Sequence, residues 1–166
     1  DPGASSIVMT SVDALSWSAL ELGFGVLDLA HVAWTGSVWI ASSRHGTFYR
    51  SADALGWTIT NRVGGLTDIN GLAWSGTAAV AVGEDGHIWR SPDGAAWTRQ
   101  AGVTTEYLHD VEWLNGQFVV VGENGTVLFS PDGIDWTAET TGTADALEVI
   151  AWNGSTYAAL GIGTGF

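Results

Sequence analysis

Cysteine and lysine are both missing from the 166 residues, and proline occurs only three times. Without cysteine the chain can form neither a disulfide nor a thiolate site, a composition that either redox compartment tolerates. No stretch approaches the ~18 consecutive apolar residues of a membrane-spanning helix, so membrane insertion is not expected. The opening DPGASS lacks the basic and apolar regions of a signal peptide, which we expect to be absent or already removed.

Positive charge is scarce as well. Five arginines face 18 acidic residues, and the formal net charge is −13. Binding to nucleic acid or to an anionic membrane needs lysine and arginine to neutralise phosphates, so neither partner is expected. The acidic residues are scattered along the chain, a pattern typical of a solvated acidic surface.

One short phrase returns at fixed intervals. It begins with serine, has aspartate two residues later and ends with tryptophan: SVDALSW from Ser11, SADALGW from Ser51, SPDGAAW from Ser91 and SPDGIDW from Ser130. The closing tryptophans are 40, 40 and 39 residues apart. A period of this length indicates a supersecondary unit that cannot bury its apolar face without neighbouring copies.

A second set of tryptophans marks the same period, at Trp34, Trp74, Trp113 and Trp152. Each ends an apolar run and is followed by a glycine turn and a second apolar run. Hairpin turns such as EDG and ENG then lead into a third run, and the serine–aspartate phrase leads into a fourth. The unit is therefore four short antiparallel strands in about 40 residues, which predicts an all-β fold, a β-propeller of four-stranded blades.

The two ends of the sequence predict complementary halves of a blade. The sequence begins with a third strand from Ile7 to Thr10, and it finishes with a first strand through Trp152 and a second from Thr156 to Gly161. We expect a single domain over residues 1–166, with blades at 22–61, 62–101, 102–140 and 141–166 plus 5–21. The last blade closes the ring within one chain, giving about four blades, or between chains, giving about eight or more. A longer propeller that includes this segment is the third alternative.

The recurring phrase has a physical explanation as a turn. An aspartate at the start of a tight turn accepts hydrogen bonds from backbone N–H groups two or three residues on, and the serine hydroxyl adds another. The tryptophan folds back over the turn into the space between blades, where it buries ~150–250 Å². We therefore predict a structural role for Ser11, Asp13, Trp17, Ser51, Asp53, Trp57, Ser91, Asp93, Trp97, Ser130, Asp132 and Trp136.

The phrase resembles the Asp-box, or bacterial neuraminidase repeat, whose pattern is Ser-x-Asp-x-Gly-x-x-Trp. It is still more similar to the SPDGxxW repeats of bacterial secreted propellers related to photosystem II assembly factors, and the match extends over residues 5 to 166. Two departures are visible: serine and tryptophan are one position closer than in the sialidase box, and Ala14 and Ala54 replace the glycine. The resemblance implies a propeller with structural boxes, and an extracellular or periplasmic location.

An enzyme is not expected. A sialidase-like site needs three arginines, a tyrosine nucleophile and an acid, but Arg50 and Arg90 occupy the same repeat position and the tyrosines lie in no recognisable motif. A glycosidase needs two carboxylates about 5–10 Å apart. Nothing in the sequence marks such a pair, so a sialidase-like glycosidase is the second alternative function, with Glu112 and Glu148 as the acids to test.

Ligand-binding residues are more readily sought where the repeats differ. Side chains just before the second set of tryptophans vary, and they would surround the mouth of the channel if the first strands line it. Candidate ligand-binding residues there are His31, Asn70, His109, Asp110, Glu112 and Glu148. Arg44 and His45 break the acidic pattern of their hairpin turn and are candidate partner contacts. No EF-hand or zinc spacing is present, so no cofactor or metal site is predicted, although the polar ring could hold a cation.

Together these features favour a non-enzymatic binding or assembly scaffold, exported and able to self-assemble by exchange of its terminal strands. A glycan-binding lectin is the first alternative. The expected partner is a protein or a glycan, or another copy of the chain in a homo-oligomer.

Overall fold

The computed structural model describes residues 5–24, 29–63 and 68–163. Strands in these ranges form three four-stranded antiparallel sheets and two two-stranded hairpins. Parts of the predicted blades, at 1–4, 25–28, 64–67 and 164–166, lie outside the described residues. No helix in the described ranges is long and apolar enough to cross a bilayer.

Each four-stranded sheet follows the chain in order, one strand beside the next. Sheet I contains β3 (Leu29–Trp34), β4 (Trp39–Ser43), β5 (Thr47–Ser51) and β6 (Thr58–Arg62). Sheet II contains β7 (Ile69–Trp74), β8 (Ala79–Gly83), β9 (Ile88–Ser91) and β10 (Thr98–Arg99). Sheet III contains β11 (Leu108–Leu114), β12 (Gln117–Gly122), β13 (Thr126–Ser130) and β14 (Thr137–Thr140). The hairpins are β1 (Ser5–Thr10) with β2 (Ser18–Phe24), and β15 (Ala146–Trp152) with β16 (Tyr157–Ile162).

Short 3-10 turns at Glu84–Gly86 and Glu123–Gly125 join the second and third strands of sheets II and III. Asp85 and Asn124 in these turns have a φ of 52°, a left-handed conformation that Asp and Asn adopt more readily than other non-glycine residues. The EDG and ENG phrases therefore turn the chain where the sequence predicts a turn.

The second strand of each sheet carries much of the core because it is covered on both faces. Every residue of β8 is buried, and so are Val119, Val120 and Val121 of β12. One cluster of apolar side chains joins sheets II and III, a second joins sheets I and II, and a third joins sheet III to β15–β16. Burial on both faces explains why these strands read as continuous apolar runs.

The first strands lie side by side in the order β3, β7, β11 and β15. The sheets therefore radiate from a common row of first strands, which is the arrangement of propeller blades. The predicted all-β fold with four-stranded antiparallel blades is confirmed. In the described residues no strand pairing joins β1–β2 to β15–β16, so the closing blade stays a prediction, as do the domain boundaries.

All four serine–aspartate phrases fold as turns. In each, Asp Oδ1 accepts hydrogen bonds from the backbone N–H groups two and three residues on, at 2.8–3.3 Å. The serine hydroxyl donates to the same oxygen in every copy. The indoles of Trp17, Trp57 and Trp97 donate to the carbonyl three residues before them. The backbone hydrogen bonds lower the pKa of all four aspartates below its ordinary value of 3.8.

A β-bulge interrupts the first strand of each sheet, and also β15, at the same repeat position. The pairing skips one residue each time, and these residues are Ala30, Asn70, His109 and Glu148. A bulged residue has no partner across the ladder, and the bulge re-aims its side chain. Three of the four, Asn70, His109 and Glu148, are polar, and they lie on the neighbouring strands β7, β11 and β15.

Candidate functional site

The bulged residues Asn70, His109 and Glu148 line one open pocket of about 400 Å³. Four of the six predicted channel-mouth residues lie here, the three bulged residues and His31. The remaining lining residues are Arg44, Ile69, Tyr107 and Glu123. Side chains from four successive first strands therefore converge on a single polar concavity.

Two of these side chains also tie neighbouring blades together. Asn70 Nδ2 donates to the carbonyl of Leu108 on the next sheet at 2.9 Å. His31 Nε2 donates to the carbonyl of Ile69 at 3.2 Å. The Tyr107 hydroxyl donates to Asn70 Oδ1 at 3.5 Å. Polar groups of the pocket are thus held in place by the same contacts that align the first strands.

His109 lies between two carboxylates. Its Nε2 is 3.2 Å from Glu123 Oε1, and its Nδ1 is 3.6 Å from Glu148 Oε2. The ring of Tyr107 packs on the imidazole with the centroids 5.1 Å apart. The imidazole is half-buried, whereas both glutamates reach solvent. This side of the pocket therefore presents carboxylate oxygens to any ligand that enters.

Burial shifts the titration of the groups around the pocket. It lowers the pKa of His31, which favours the neutral imidazole. Burial raises the pKa of Asp110, although Asp110 Oδ2 accepts a hydrogen bond from the backbone N–H of Ile150 at 3.0 Å. Glu112 remains exposed, and partial desolvation followed by the charge of Asp110 raises its pKa. Asp110 and Glu112 do not line the pocket, so the structure separates them from the other four candidates.

The two predicted partner-contact residues occupy different surroundings. Arg44 follows β4 directly and lines the pocket opposite the carboxylates of sheet III and β15. His45 is exposed, and its Nδ1 lies 3.5 Å from Asp68 Oδ1. The pocket therefore has a guanidinium towards sheet I and two carboxylates at its other end.

The described residues show no arrangement of side chains typical of a metal site. Nowhere among them do three His, Cys, Asp or Glu side chains converge as they would around a metal ion. A cation in the polar ring therefore stays a prediction. So does ligand binding by the six channel-mouth residues.

Sequence reasoning did not single out Tyr107 or Glu123 as site residues. A signal existed for Glu123, because it occupies the repeat position of Arg44, directly after the second strand. Tyr107 lies just before the first strand, at a position where the other repeats carry Asp28, Asp68 and Ala146. The bulge that re-aims Asn70, His109 and Glu148 leaves no mark in composition or spacing, so only the structure reveals it.

Radiating four-stranded sheets with a serine–aspartate turn before each fourth strand define a β-propeller. No protein-family model and no curated protein matches the sequence. Among solved structures, the chain is similar to YCF48 bound to D1 peptide, with a TM-score of 0.71 and 17% identity over 92% of this chain and 52% of that one. It is also similar to YCF48 from Cyanidioschyzon merolae, with a TM-score of 0.64 and 15% identity over 89% of this chain and 55% of that one.

The chain thus spans about half the length of each of these structures. At such low identity the similarity shows the fold alone. It confirms the expected propeller and leaves the sequence family a prediction.

Proposed function

We propose that the chain is a non-enzymatic propeller that binds a polypeptide segment in the pocket at the mouth of its row of first strands. The observation that carries the proposal is the convergence of Asn70, His109 and Glu148 on one concavity, through bulges at one repeat position. Its volume of about 400 Å³ is within the range of about 300–1,000 Å³ for ligand sites.

The charges of the pocket fit a peptide better than a ligand of one sign. Glu123 and Glu148 attract a basic side chain, and Arg44 attracts a carboxylate or a backbone carbonyl. A polypeptide segment supplies both kinds of group a few ångströms apart. The amide of Asn70 and the hydroxyl of Tyr107 add neutral hydrogen-bonding groups between the charged ends.

One of the structurally similar propellers is YCF48 with the D1 peptide bound. That complex supports peptide binding as a use of this architecture. We extend it to this chain as part of the proposal, together with an exported location, which rests on the resemblance of the boxes. The scaffold role in the proposal also includes the joining of copies through β1 and β16.

The proposal is tested with an array of random ten-residue peptides probed with the labelled chain. We expect retained peptides to be enriched in Arg or Lys near an acidic residue, and Glu148→Gln to weaken the best of them about tenfold or more, because a carboxylate is lost from a charge-assisted contact. Arg44→Gln should weaken the same peptides. Glycan arrays and fluorogenic glycosides probed in parallel test the lectin and the glycosidase.

Glu139→Gln is the matched control, since Glu139 is an exposed glutamate on β14 and does not line the pocket. It makes the same chemical change and should leave peptide binding unaltered. The proposal is wrong if no peptide is retained, or if Glu139→Gln and Glu148→Gln weaken binding equally.

A further inference from the structure

Two strands have an edge without a partner among the described residues. β1 pairs with β2, and β16 pairs with β15. By the repeat, β16 is a second strand and β1 is a third strand. In sheets I, II and III the second strand pairs with the third strand. There Phe118 lies opposite Ser130, and the repeat places Tyr157 opposite Ser11 by the same rule.

These two edges carry no charged residue and no proline: β1 reads SSIVMT and β16 reads YAALGI. Each fourth strand, which forms the outer edge of its sheet, contains a charged residue: Glu21 in β2, Arg62 in β6, Arg99 in β10 and Glu139 in β14. Charges on an edge strand prevent pairing with another chain. The composition therefore protects the outer edges and leaves β1 and β16 able to pair.

Apolar side chains beside the unpaired edges are exposed. Leu160 of β16 is 70% exposed, and Val32 of β3 is 60% exposed. A groove of about 370 Å³ runs between β1 and sheet I. At the same repeat positions between sheets II and III, Val82 and Val111 are buried in one core cluster. By the repeat, Leu160 and Val32 would therefore be buried together, as Val82 and Val111 are.

The fourth residue of the boxes shows the same complementarity. Gly133 packs so closely on the preceding sheet that an added Cβ would lie 2.6 Å from Val80 Cγ2. Sheet I has Ala54 at this position, and the residue it would meet by the repeat is Ala158 of β16. The residue on the second strand is valine at the contact with Gly133, and alanine where the repeat places it against Ala54. The summed volume of the two side chains in the contact therefore stays similar.

We propose that β16 of one copy pairs with β1 of a second copy, with Ala159 opposite Met9, so that β15–β16 fills the groove beside sheet I. This rests on the scaffold role in the proposed function. The described residues of each copy form three four-stranded sheets and two two-stranded hairpins, so two copies of this 166-residue chain would give a ring of about eight blades, within the usual range of about four to eight. The two junctions are related by a twofold axis.

The oligomeric mass of the 166-residue chain is the first measurement. Light scattering should give twice 17.4 kDa. Leu160→Arg should raise the dissociation constant of the dimer about tenfold or more, because a charge enters the core of the new interface. Leu55→Arg makes the same change at an exposed leucine of the sheet I box and should leave the mass at two copies. A mass of one copy at every concentration tested, or of more than two, overturns the proposal.

Engineered cysteines test the register, since the chain has none of its own. Met9→Cys with Ala159→Cys should give a covalent dimer on mild oxidation. Met9→Cys with Ala158→Cys is one residue out of register, so its thiols face opposite sides of the sheet and should not cross-link. A disulfide within one chain shows closure in a single copy and overturns the exchange. No disulfide in either pair overturns the register.

The two proposals fail separately. If the chain is a monomer that still binds peptides at the pocket, the proposed strand exchange is wrong and the proposed peptide binding stands. If the chain is a dimer that binds no peptide, the proposed peptide binding is wrong and the proposed strand exchange stands.

Discussion

Sheets II and III and the two hairpins are built from the same repeat, yet their side chains have different surroundings. The box tryptophan of sheet II, Trp97, is 8% exposed and stacks on Phe48 of sheet I with the ring centroids 3.8 Å apart. Trp17, the same residue of the β1–β2 hairpin, is 55% exposed. The repeat therefore specifies the strands and turns of a blade, whereas burial depends on a neighbour being present, as in other repeat proteins.

The largest expected effect is on the free energy of unfolding, when the aromatic residue at one repeat position is replaced in sheet III and in the β15–β16 hairpin. Phe118 of β12 is fully buried and packs edge-on against Trp113 at 4.7 Å. Phe118→Ala should lower the free energy of unfolding by about 3–5 kcal/mol. Tyr157 is the same position of β16 and is only partly buried, so Tyr157→Ala should cost less than half as much.

Chemical denaturation of both variants measures the two costs. Equal costs would mean that β16 is already covered in solution. The dimer proposed above predicts that outcome at high concentration, so the comparison is made at concentrations where light scattering finds one copy.

A smaller effect is expected at the fourth residue of the boxes. Gly133 has a φ of 76°, and Ala14 of the β1–β2 hairpin has a φ of 59°. Gly133→Ala should lower the free energy of unfolding by about 2 kcal/mol, because it adds left-handed strain and a Cβ against Val80. Ala14→Gly relieves the strain without that contact and should change stability by less than about 1 kcal/mol.

Urea titrations of the two variants measure both changes. A large loss of stability on Ala14→Gly would show that the turn of the hairpin depends on the alanine side chain, contrary to this comparison.

The smallest expected effect is on how the stability of the fold changes as the pH falls. The pKa of Asp132 is lowered, first by the N–H of Ile134, below its ordinary value of 3.8. The folded state therefore binds this proton less tightly than the unfolded state, and the contribution is lost as the pH falls below 3.8. Asp132→Asn should flatten that loss. Asp110 has a raised pKa, so protonation above pH 3.8 adds stability, and Asp110→Asn should remove this gain.

Stability measured by denaturant at steps between pH 7 and pH 2 checks both signs. Asp13→Asn is the comparison in the hairpin, since Asp13 makes the same turn hydrogen bonds. A wild-type stability that stays constant below pH 3.8 would contradict the assigned role of the box carboxylates.

The fold could be predicted because its signals are local and repeated. Each box carries its own hydrogen-bonding groups, so Asp93 and Asp132 make their turns from residues within three positions. Tryptophan spacing then fixes the length of the blade. Neither property depends on contacts far apart in the sequence.

The site could be predicted only in part. His31, Asn70, His109 and Glu148 are recognisable because the repeats diverge there, and the structure brings all four to one pocket. Asp110 occupies the repeat position of His31 but does not line the pocket, and its carboxylate accepts a hydrogen bond from the backbone N–H of Ile150 on β15. Two residues at one repeat position therefore differ in whether they line the pocket, and this depends on contacts with the next strand that sequence periodicity does not contain.

The bulges have an evolutionary consequence. The bulged residue has no partner in the ladder, so its side chain can vary without a change in strand pairing. Ala30, Asn70, His109 and Glu148 already show how different the occupants can be. Duplication of one blade therefore copies a variable bulge position along with the framework, and each copy can acquire its own side chain there.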